Sequence, residues 1–339
     1  EEWTRAGAKT WLPDGRGLLM LGQRWGEKQQ SDSWLWHVDT VTGDTRRISI
    51  GPDELAGWSM SLSADGRTLA ATRTHLAASL WVAPGGDSSL AREISAAWGE
   101  PRFLPDGRLF FTGPDQFLWR INADGSGRLR LANTLYKAVA PDGRTMVYSQ
   151  LDRDGVSHIH RADVDGQNAV QLTYGAASTK PAITPDGKWV VYVTAADGAL
   201  WKVPLEGGRP VPLAPGVVSD PAVSPDGQWV AVSQRQGSRL VPGLIPLNGR
   251  GVSRTMALPP GTSLWHVRFS RDGTALDLAL TDSRAGNIWR LPLDGGPARQ
   301  LTHFATDEVR SFDWSWDGTL LACVRGGWRG DIVLLRGGW

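Results

Sequence analysis

The sequence has no long apolar run, no pair of cysteines and almost no net charge. Without a stretch of about 20 apolar residues, we expect no membrane insertion by this chain. The formal net charge of +1 offers no basic excess, so we expect no nucleic-acid partner. The single cysteine, Cys323, cannot form an internal disulfide, and its apolar neighbours indicate a buried residue.

Catalytic signatures are missing as well. The sequence contains no Gly-x-Ser-x-Gly, His-Glu-x-x-His, Cys-x-x-Cys or Walker motif. His158 and His160 are the most metal-like pair, because alternation on a strand places both on one face. His160 also occupies a position that holds Trp in related segments, which favours packing between sheets. We therefore predict that the chain is not an enzyme and that it holds no cofactor and no metal.

An Asp-Gly pair recurs along the whole chain, usually between two short apolar runs. Asp-Gly between such runs predicts a β-hairpin, because the turn needs residues that tolerate positive φ. The eight pairs are Asp14-Gly15, Asp65-Gly66, Asp106-Gly107, Asp142-Gly143, Asp186-Gly187, Asp226-Gly227, Asp272-Gly273 and Asp317-Gly318.

A second turn, such as Gly207-Gly208 or Gly295-Gly296, falls between successive Asp-Gly pairs. Each unit thus contains four antiparallel strands in roughly 40 to 45 residues, which is typical of a propeller blade. We predict an all-β, eight-bladed β-propeller of four-stranded antiparallel blades, a single domain over residues 1–339, with seven blades as the fallback. The last unit lacks its fourth strand, so we expect residues 1–5 to pair with residues 331–336 and close the ring.

Tryptophan occurs 18 times. Many of these residues recur at equivalent strand positions, which predicts that they pack between adjoining blades. These repeated residues are Trp36, Trp81, Trp119, Trp189, Trp201, Trp229 and Trp289. Trp58 and Trp265 lie seven residues before their Asp-Gly pairs instead, and we take them as candidates for an exposed binding role.

With its repeat aligned, the chain resembles the TolB-type, WD-repeat-like β-propeller. The resemblance is carried by segments 180–188, 220–227 and 287–296 and by Gln300-Leu301-Thr302. More narrowly, the chain looks like the C-terminal propellers of bacterial Ser/Thr protein kinases and of winged-helix regulators. This resemblance implies an extracytoplasmic sensing or interaction module. Related propellers also precede the hydrolase domain of prolyl-oligopeptidase-type peptidases, where they gate substrate.

Propellers bind ligands at the mouth of the central channel, through residues of several blades. Six residues before each Asp-Gly pair the side chains are of mixed chemistry, and in a ring they would converge on the axis. These positions hold Ala8, Ser59, Glu100, Tyr136, Lys180, Asp220, His266 and Ser311. We predict a ligand site at Glu100, Tyr136, Lys180, Asp220 and His266, with Trp58 and Trp265. The alternative interpretation is an ordinary polar rim.

Two residues further along, most positions hold small residues, which suits a narrow channel. Arg102, Arg268 and Asp313 are exceptions, and we predict that they line the channel. Arg268 and Asp313 belong to neighbouring units and are candidates for an ion pair across the channel wall. Two interpretations of this pair are equally consistent with the sequence: a solvated structural ion pair and part of a ligand site.

We expect a monomeric, non-enzymatic propeller that binds a protein, a peptide or a small polar ligand at the channel mouth, as part of a larger signalling protein. The second hypothesis is the substrate-gating propeller of a serine peptidase. A third, a propeller lyase or quinoprotein, would require a bound metal or cofactor.

Overall fold

The structure, a computed structural model, describes residues 3–24, 34–48, 55–131, 134–217, 221–250, 253–282, 284–337 and 339. The chain divides into two compact units, which we call unit 1 (Glu1–Ala77 and Gly327–Trp339) and unit 2 (Ala78–Gly326). Within the described ranges, no helix has the length and apolar character needed to cross a bilayer.

Unit 1 contains a four-stranded sheet in the order β1-β2-β3-β4. Its strands are β1 (Trp3–Trp11), β2 (Gly17–Arg24), β3 (Trp34–Asp39) and β4 (Thr45–Ile48). Strand β5 (Leu55–Leu62) pairs with the first part of β6 (Thr68–Pro84). Apolar side chains from these strands, among them Leu19, Leu35 and Leu69, form the core of this unit.

Unit 2 continues with a 3-10 helix (Ser88–Leu90) and then with strands only. The strands up to the middle of the unit are β7 (Arg92–Ala96), β8 (Gly99–Phe103), β9 (Leu109–Thr112), β10 (Leu118–Ile121), β11 (Leu129–Arg130), β12 (Leu135–Val139), β13 (Thr145–Leu151), β14 (Ser157–Asp163), β15 (Val170–Gln171), β16 (Ser178–Ile183), β17 (Trp189–Thr194), β18 (Leu200–Pro204) and β19 (Val211–Ala214). The remaining strands are β20 (Ala222–Val223), β21 (Trp229–Gln236), β22 (Arg239–Pro246), β23 (Arg254–Thr255), β24 (Ser263–Phe269), β25 (Ala275–Thr281), β26 (Gly286–Pro292), β27 (Arg299–Gln300), β28 (Glu308–Trp314) and β29 (Leu320–Arg336), which ends in unit 1.

The strands of unit 2 form six antiparallel sheets around an axis. Five sheets are consecutive sets of four strands, from β8–β11 to β24–β27, and the sixth contains β28, β29, β6 and β7. The first strands contact one another in the order β8, β12, β16, β20, β24, β28 and back to β8. An apolar core lies between each pair of consecutive sheets, including one between the sixth and the first. These contacts define a closed β-propeller with first strands innermost.

All eight predicted Asp-Gly turns are present. In each, the glycine N–H donates to the carbonyl three residues earlier, and the glycine φ lies between 67° and 85°, a region that favours glycine. The aspartate accepts a hydrogen bond from the backbone N–H two residues later. At Asp272 and Asp317, hydrogen bonds from Ser270 and Ser315 lower the pKa of the carboxyl to about 2. These carboxylates are therefore turn formers, as predicted.

An eight-bladed ring is not confirmed. The Asp-Gly pairs at Asp14 and Asp65 lie in unit 1, and the ring of unit 2 contains the other six. The predicted pairing of residues 1–5 with 331–336 is not confirmed either. Strand β1 pairs with β2, and β29 has β28 and β6 as its neighbours. The reason is that β6 and β29 each run on for 17 residues, where the repeat predicts a hairpin between two shorter strands.

Five of the repeated tryptophans, Trp81, Trp119, Trp201, Trp229 and Trp289, pack against the cores between sheets of unit 2, as predicted. Trp119, Trp201 and Trp289 are half-buried against three different cores of unit 2. His160, in the equivalent position, stacks on Tyr148 with the ring centroids 5.7 Å apart. No group of three metal-ligating side chains occurs within the described ranges.

A buried ion pair ties the fifth sheet of unit 2 to the sixth. Asp277, fully buried on β25, accepts two hydrogen bonds from Arg290 at 2.7 and 2.8 Å and a third from the Trp314 indole at 3.0 Å. Each oxygen of the carboxylate is therefore bonded. Removing the aspartate leaves two half-buried donors, Arg290 and Trp314, without this acceptor.

We expect Asp277→Ala to lower the free energy of unfolding by about 3 kcal/mol, because it leaves Arg290 and Trp314 unpaired. The control is Glu206→Ala, which removes the exposed partner of Arg161 and is expected to cost below about 1 kcal/mol. Urea denaturation of both variants measures the difference. Equal losses would show that the Asp277 pair contributes no more than a surface pair.

Candidate functional site

Most of the predicted site residues of unit 2 lie on first strands and meet at the axis. Glu100 and Arg102 are on β8, and Trp265, His266 and Arg268 are on β24. Tyr136 lies on β12, Lys180 on β16, and Ser311 and Asp313 on β28. We call the end of the ring around Glu100 the mouth. Since β8 and β24 are separated by a sheet, contacts between their side chains cross the channel.

Glu100 is the centre of the mouth. Its Oε2 accepts from Arg102 Nη2 at 2.5 Å and from Arg268 Nη2 at 3.5 Å, and its Oε1 lies 3.6 Å from His266 Nε2. The side chains of Glu100, Arg102 and Arg268 are between 11% and 16% exposed, and that of His266 is 4% exposed. The sequence-based prediction of a polar cluster at the axis is therefore matched by a buried charge network.

Neighbouring charges and burial together determine the pKa values of the two carboxyl groups at the axis, Glu100 and Asp313. Burial alone would raise the pKa of Glu100, but Arg102 and His266 outweigh burial and lower the pKa to about 2. Glu100 is therefore ionised at neutral pH. Asp313 differs, because burial raises its pKa against the opposing effect of Arg102 and the Phe103 N–H.

Lys137, next to the predicted Tyr136, is fully buried and donates to Thr112 Oγ1 at 2.8 Å. Burial lowers the pKa of Lys137 to about 7, despite the attraction of Glu100. Lys137 therefore loses its proton, and with it one positive charge of the site, close to neutral pH.

The rim carries two aromatic–cation pairs. The Lys180 ammonium lies 5.9 Å from the Tyr136 ring centroid, and the Arg310 guanidinium lies 4.9 Å from the Trp265 ring centroid. Tyr136 and Trp265 are 37% and 41% exposed, which is high for aromatic residues on inner strands. Tyr136 and Lys180 also have φ of 39° and 57°, a region that strains residues other than glycine.

His266 has unused hydrogen-bonding capacity. Neither ring nitrogen has a hydrogen-bond partner, although the ring is almost entirely buried. Its edge packs against Phe312, with the centroids 5.2 Å apart. A buried imidazole normally bonds at least one nitrogen, whereas Nε2 of His266 makes the longer contact with Glu100 Oε1 at 3.6 Å.

Beyond the cluster, towards the Asp-Gly turns, lies a cavity of about 530 Å³ lined by all six first strands. Arg102, Arg268 and Asp313 line it, as predicted for channel residues. The proposed pair of Arg268 with Asp313 is not found among the described ion pairs. Arg268 contacts Glu100 instead, and Asp313 accepts from the Phe103 N–H at 2.8 Å.

Two predicted residues are not placed at the mouth. Asp220 lies outside the described residues. Trp58 is on β5 in unit 1, and its side chain is outside the described part of the chain. Eight equivalent positions were predicted to surround the axis, and in unit 2 six first strands surround it.

Sequence analysis missed Lys137 and Arg310, although both had a signal. Lys137 is a lone lysine at a position that is otherwise apolar. The equivalent residues of unit 2 are Pro101, Pro181, Pro221, Val267 and Phe312. Arg310 lies seven residues before its Asp-Gly pair, as Trp265 does.

Comparisons with known proteins agree with this fold. No protein family model matches the chain. Tricorn protease homolog 1 of Streptomyces coelicolor is 34% identical over 79 residues, which are 23% of this chain and only 7% of that protein's length. A TolB-type protein from Agrobacterium tumefaciens is 19% identical, with a TM-score of 0.64 over 75% of this chain and 99% of its own.

A gluconolactonase from Xanthomonas campestris is 17% identical, with a TM-score of 0.52 over 76% of this chain and 90% of its own. At these identities the similarity extends to the fold alone. The class of the molecule is the β-propeller. Its fold is similar to that of the TolB-type propeller, in agreement with the sequence motifs.

We expect Lys137→Met to stabilise the protein more at about pH 6 than at about pH 10. With a folded pKa near 7 and an ordinary value of 10.5, the unfolded chain binds more protons between these values. The stability of the parent protein therefore rises with pH in this window, and the variant lacks that rise. The free energy of unfolding of the variant minus that of the parent protein is expected to fall by on the order of 2 kcal/mol from about pH 6 to about pH 10, as measured by urea denaturation. Lys188→Met, which removes an exposed lysine, is the control, and a difference independent of pH would contradict the assignment.

Proposed function

We propose that this chain is a binding propeller without catalytic activity of its own, which takes a protein segment, a peptide or a small polar ligand at the mouth of unit 2. In this proposal it is the sensor or interaction module of a larger bacterial signalling protein, on the extracytoplasmic side. The resemblance of the repeat to the C-terminal propellers of bacterial Ser/Thr protein kinases and of winged-helix regulators is the basis for the signalling context. The observation that carries the binding role is the buried charge network around Glu100 beneath two exposed aromatic–cation pairs.

The charge network does not serve the fold in the way the apolar cores do. Burying Glu100 and two arginines has a desolvation cost that apolar side chains of similar volume would not have. Three other first strands carry alanine at the level of Arg102, namely Ala138, Ala182 and Ala222, so the ring closes without charges there. A costly group that the architecture does not require is typical of a functional site.

The rim supports the same proposal. Strained backbone at Tyr136 and Lys180 holds both side chains at the mouth, and strain of this kind concentrates at ligand sites. Exposed Tyr136 and Trp265 offer rigid amphipathic surface, which binding sites favour. The thiol of Cys323 offers no nucleophile, because complete burial raises its pKa to about 12.

A second candidate function is the substrate-gating propeller of a serine peptidase. The 79-residue match to Tricorn protease homolog 1 favours it. A hydrolase domain on the C-terminal side of the chain in the full-length gene would support this candidate, whereas a kinase or regulator domain on the N-terminal side would support the first.

The test is a thermal-shift screen against peptides, sugars, nucleotides and divalent ions. A ligand at about 100 times its dissociation constant adds roughly 2.7 kcal/mol of stability. We expect a ligand whose stabilisation is lost in Tyr136→Ala and in Trp265→Ala. Tyr174→Ala, which removes an exposed aromatic residue elsewhere in unit 2, is the control. A ligand whose stabilisation survives both mouth variants would place the site elsewhere and contradict the proposal.

A further inference from the structure

Unit 2 has a groove between its fifth and sixth sheets, at the end that carries the Asp-Gly turns. The volume of this groove is about 520 Å³. It is lined by Arg290 on β26, Arg299 on β27 and Arg271, which lies between β24 and β25, together with Leu301 and Trp314. We call it the arginine groove. The residues described above at the mouth are not among its lining residues.

Arg290 and Arg299 are directly opposite each other on neighbouring strands of the fifth sheet. Like charges in such a cross-strand pair repel each other. The other five sheets of unit 2 combine one cation with one apolar residue at the equivalent pair. These pairs are Arg120–Leu129, Arg161–Val170, Lys202–Val211, Leu244–Arg254 and Val82–Arg92. Among the six sheets, the fifth therefore departs from the repeat by placing two guanidinium groups together.

Arg271 is a second departure from the repeat at the same groove. The residue before the Asp-Gly pair is proline or tryptophan in the other turns of unit 2, namely Pro105, Pro141, Pro185, Pro225 and Trp316. The Arg271 guanidinium lies 5.7 Å from the Trp316 ring centroid, a contact that does not neutralise its charge. Two independent changes of the repeat thus add cations to one groove.

Arg290 is held in place by Asp277. The Asp277 carboxylate accepts from Arg290 Nε and Nη2 and from the Trp314 indole, so both of its oxygens are used. The pair does not use Arg290 Nη1, and the Arg290 side chain is 26% exposed. A guanidinium held in one orientation loses little freedom when it binds an anion, which favours binding.

The other two arginines of the groove have no such partner. Within the described ranges, neither Arg271 nor Arg299 forms an ion pair with a carboxylate. Asp272 also lines the groove and is ionised at neutral pH, since its pKa is about 2. Together with Asp277 it offsets two of the three guanidinium charges. The groove therefore keeps a positive excess.

We infer that the arginine groove binds the phosphate group of a small phosphate monoester. Phosphate has three acceptor oxygens, and each guanidinium offers paired N–H donors that match them, so three arginines can engage one phosphate. A carboxylate has only two oxygens and satisfies fewer of these donors. Trp314 and Leu301 contact the organic part of the ester, for which a volume of about 520 Å³ leaves room. Binding is non-covalent, and this site does not depend on the proposed function at the mouth.

The experiment is isothermal titration of the full chain with phenyl phosphate, inorganic phosphate and benzoate, at constant ionic strength in chloride. Benzoate is the matched carboxylate, because it has the same ring. We expect phenyl phosphate to bind at least about tenfold more tightly than benzoate, and more tightly than inorganic phosphate. Arg271→Gln and Arg299→Gln are each expected to weaken this binding about tenfold. Both side chains are exposed, so the variants are expected to fold, which circular dichroism and thermal midpoints check.

The matched control is Arg92→Gln, which removes the cation at the equivalent pair of the sixth sheet and is expected to leave the affinity unchanged. Tyr136→Ala is also expected to leave it unchanged, so failure of the groove and failure of the mouth are distinguishable. The inference is overturned by an absence of phenyl phosphate binding, by equally tight binding of benzoate, or by binding that survives both groove variants. Inorganic phosphate that binds as tightly as phenyl phosphate overturns the monoester as the ligand.

Discussion

The convergence of six first strands on one axis is the constraint on which the rest of unit 2 depends. Each sheet presents its innermost strand to the channel, so side chains at one level must share a small space. Small residues such as Ala138 and Ala182 meet this constraint on one side of the ring. On the other side, β8 and β24 carry long charged side chains that reach across. Glu100 allows two arginines to be buried at the axis, because its carboxylate accepts hydrogen bonds from both Arg102 and Arg268.

Two buried ion pairs of unit 2 illustrate different uses of charge. Asp277 and Arg290 lie side by side in one sheet, and Trp314 adds a bond from the next, so the pair joins sheets with every acceptor used. The Glu100 cluster lies at the axis, where the sheets already meet through apolar cores. Its neighbours His266 and Lys137 are incompletely compensated, which stability alone does not explain. The Asp277 pair serves the fold, and the Glu100 cluster is the feature on which the proposed binding role rests.

Much of this organisation was predictable from local chemistry. The Asp-Gly turns follow from backbone geometry, and the repeated tryptophans follow from the need for large surfaces between sheets. The polar positions before each turn predicted the Glu100 cluster, because ring geometry brings equivalent positions together. Asp313 was predicted as a channel residue paired with Arg268, but Arg268 contacts Glu100 instead and Asp313 accepts from the Phe103 N–H.

The number of sheets in the ring was not predictable from the count of turns. Between the two halves of β6 the sequence reads Arg73-Thr74-His75-Leu76-Ala77, without glycine, proline, asparagine or aspartate. Sister units have such residues at this point, for example Asp197-Gly198 between β17 and β18. Without turn chemistry the backbone of β6 continues as one extended strand, so missing turn residues were a signal there. Strand β29 also runs on for 17 residues although it contains Gly326-Gly327 and Gly330-Asp331, so the turn residues alone do not set its length.

The mouth and the cavity of unit 2 share two side chains. Arg102 and Arg268 contact Glu100 at the mouth, and both line the cavity on the side of the Asp-Gly turns. Arginine is suited to this position, because one guanidinium can serve two acceptors in different directions. The mouth and the cavity of unit 2 are therefore joined by the same two buried side chains, since each arginine contacts Glu100 and also lines the cavity.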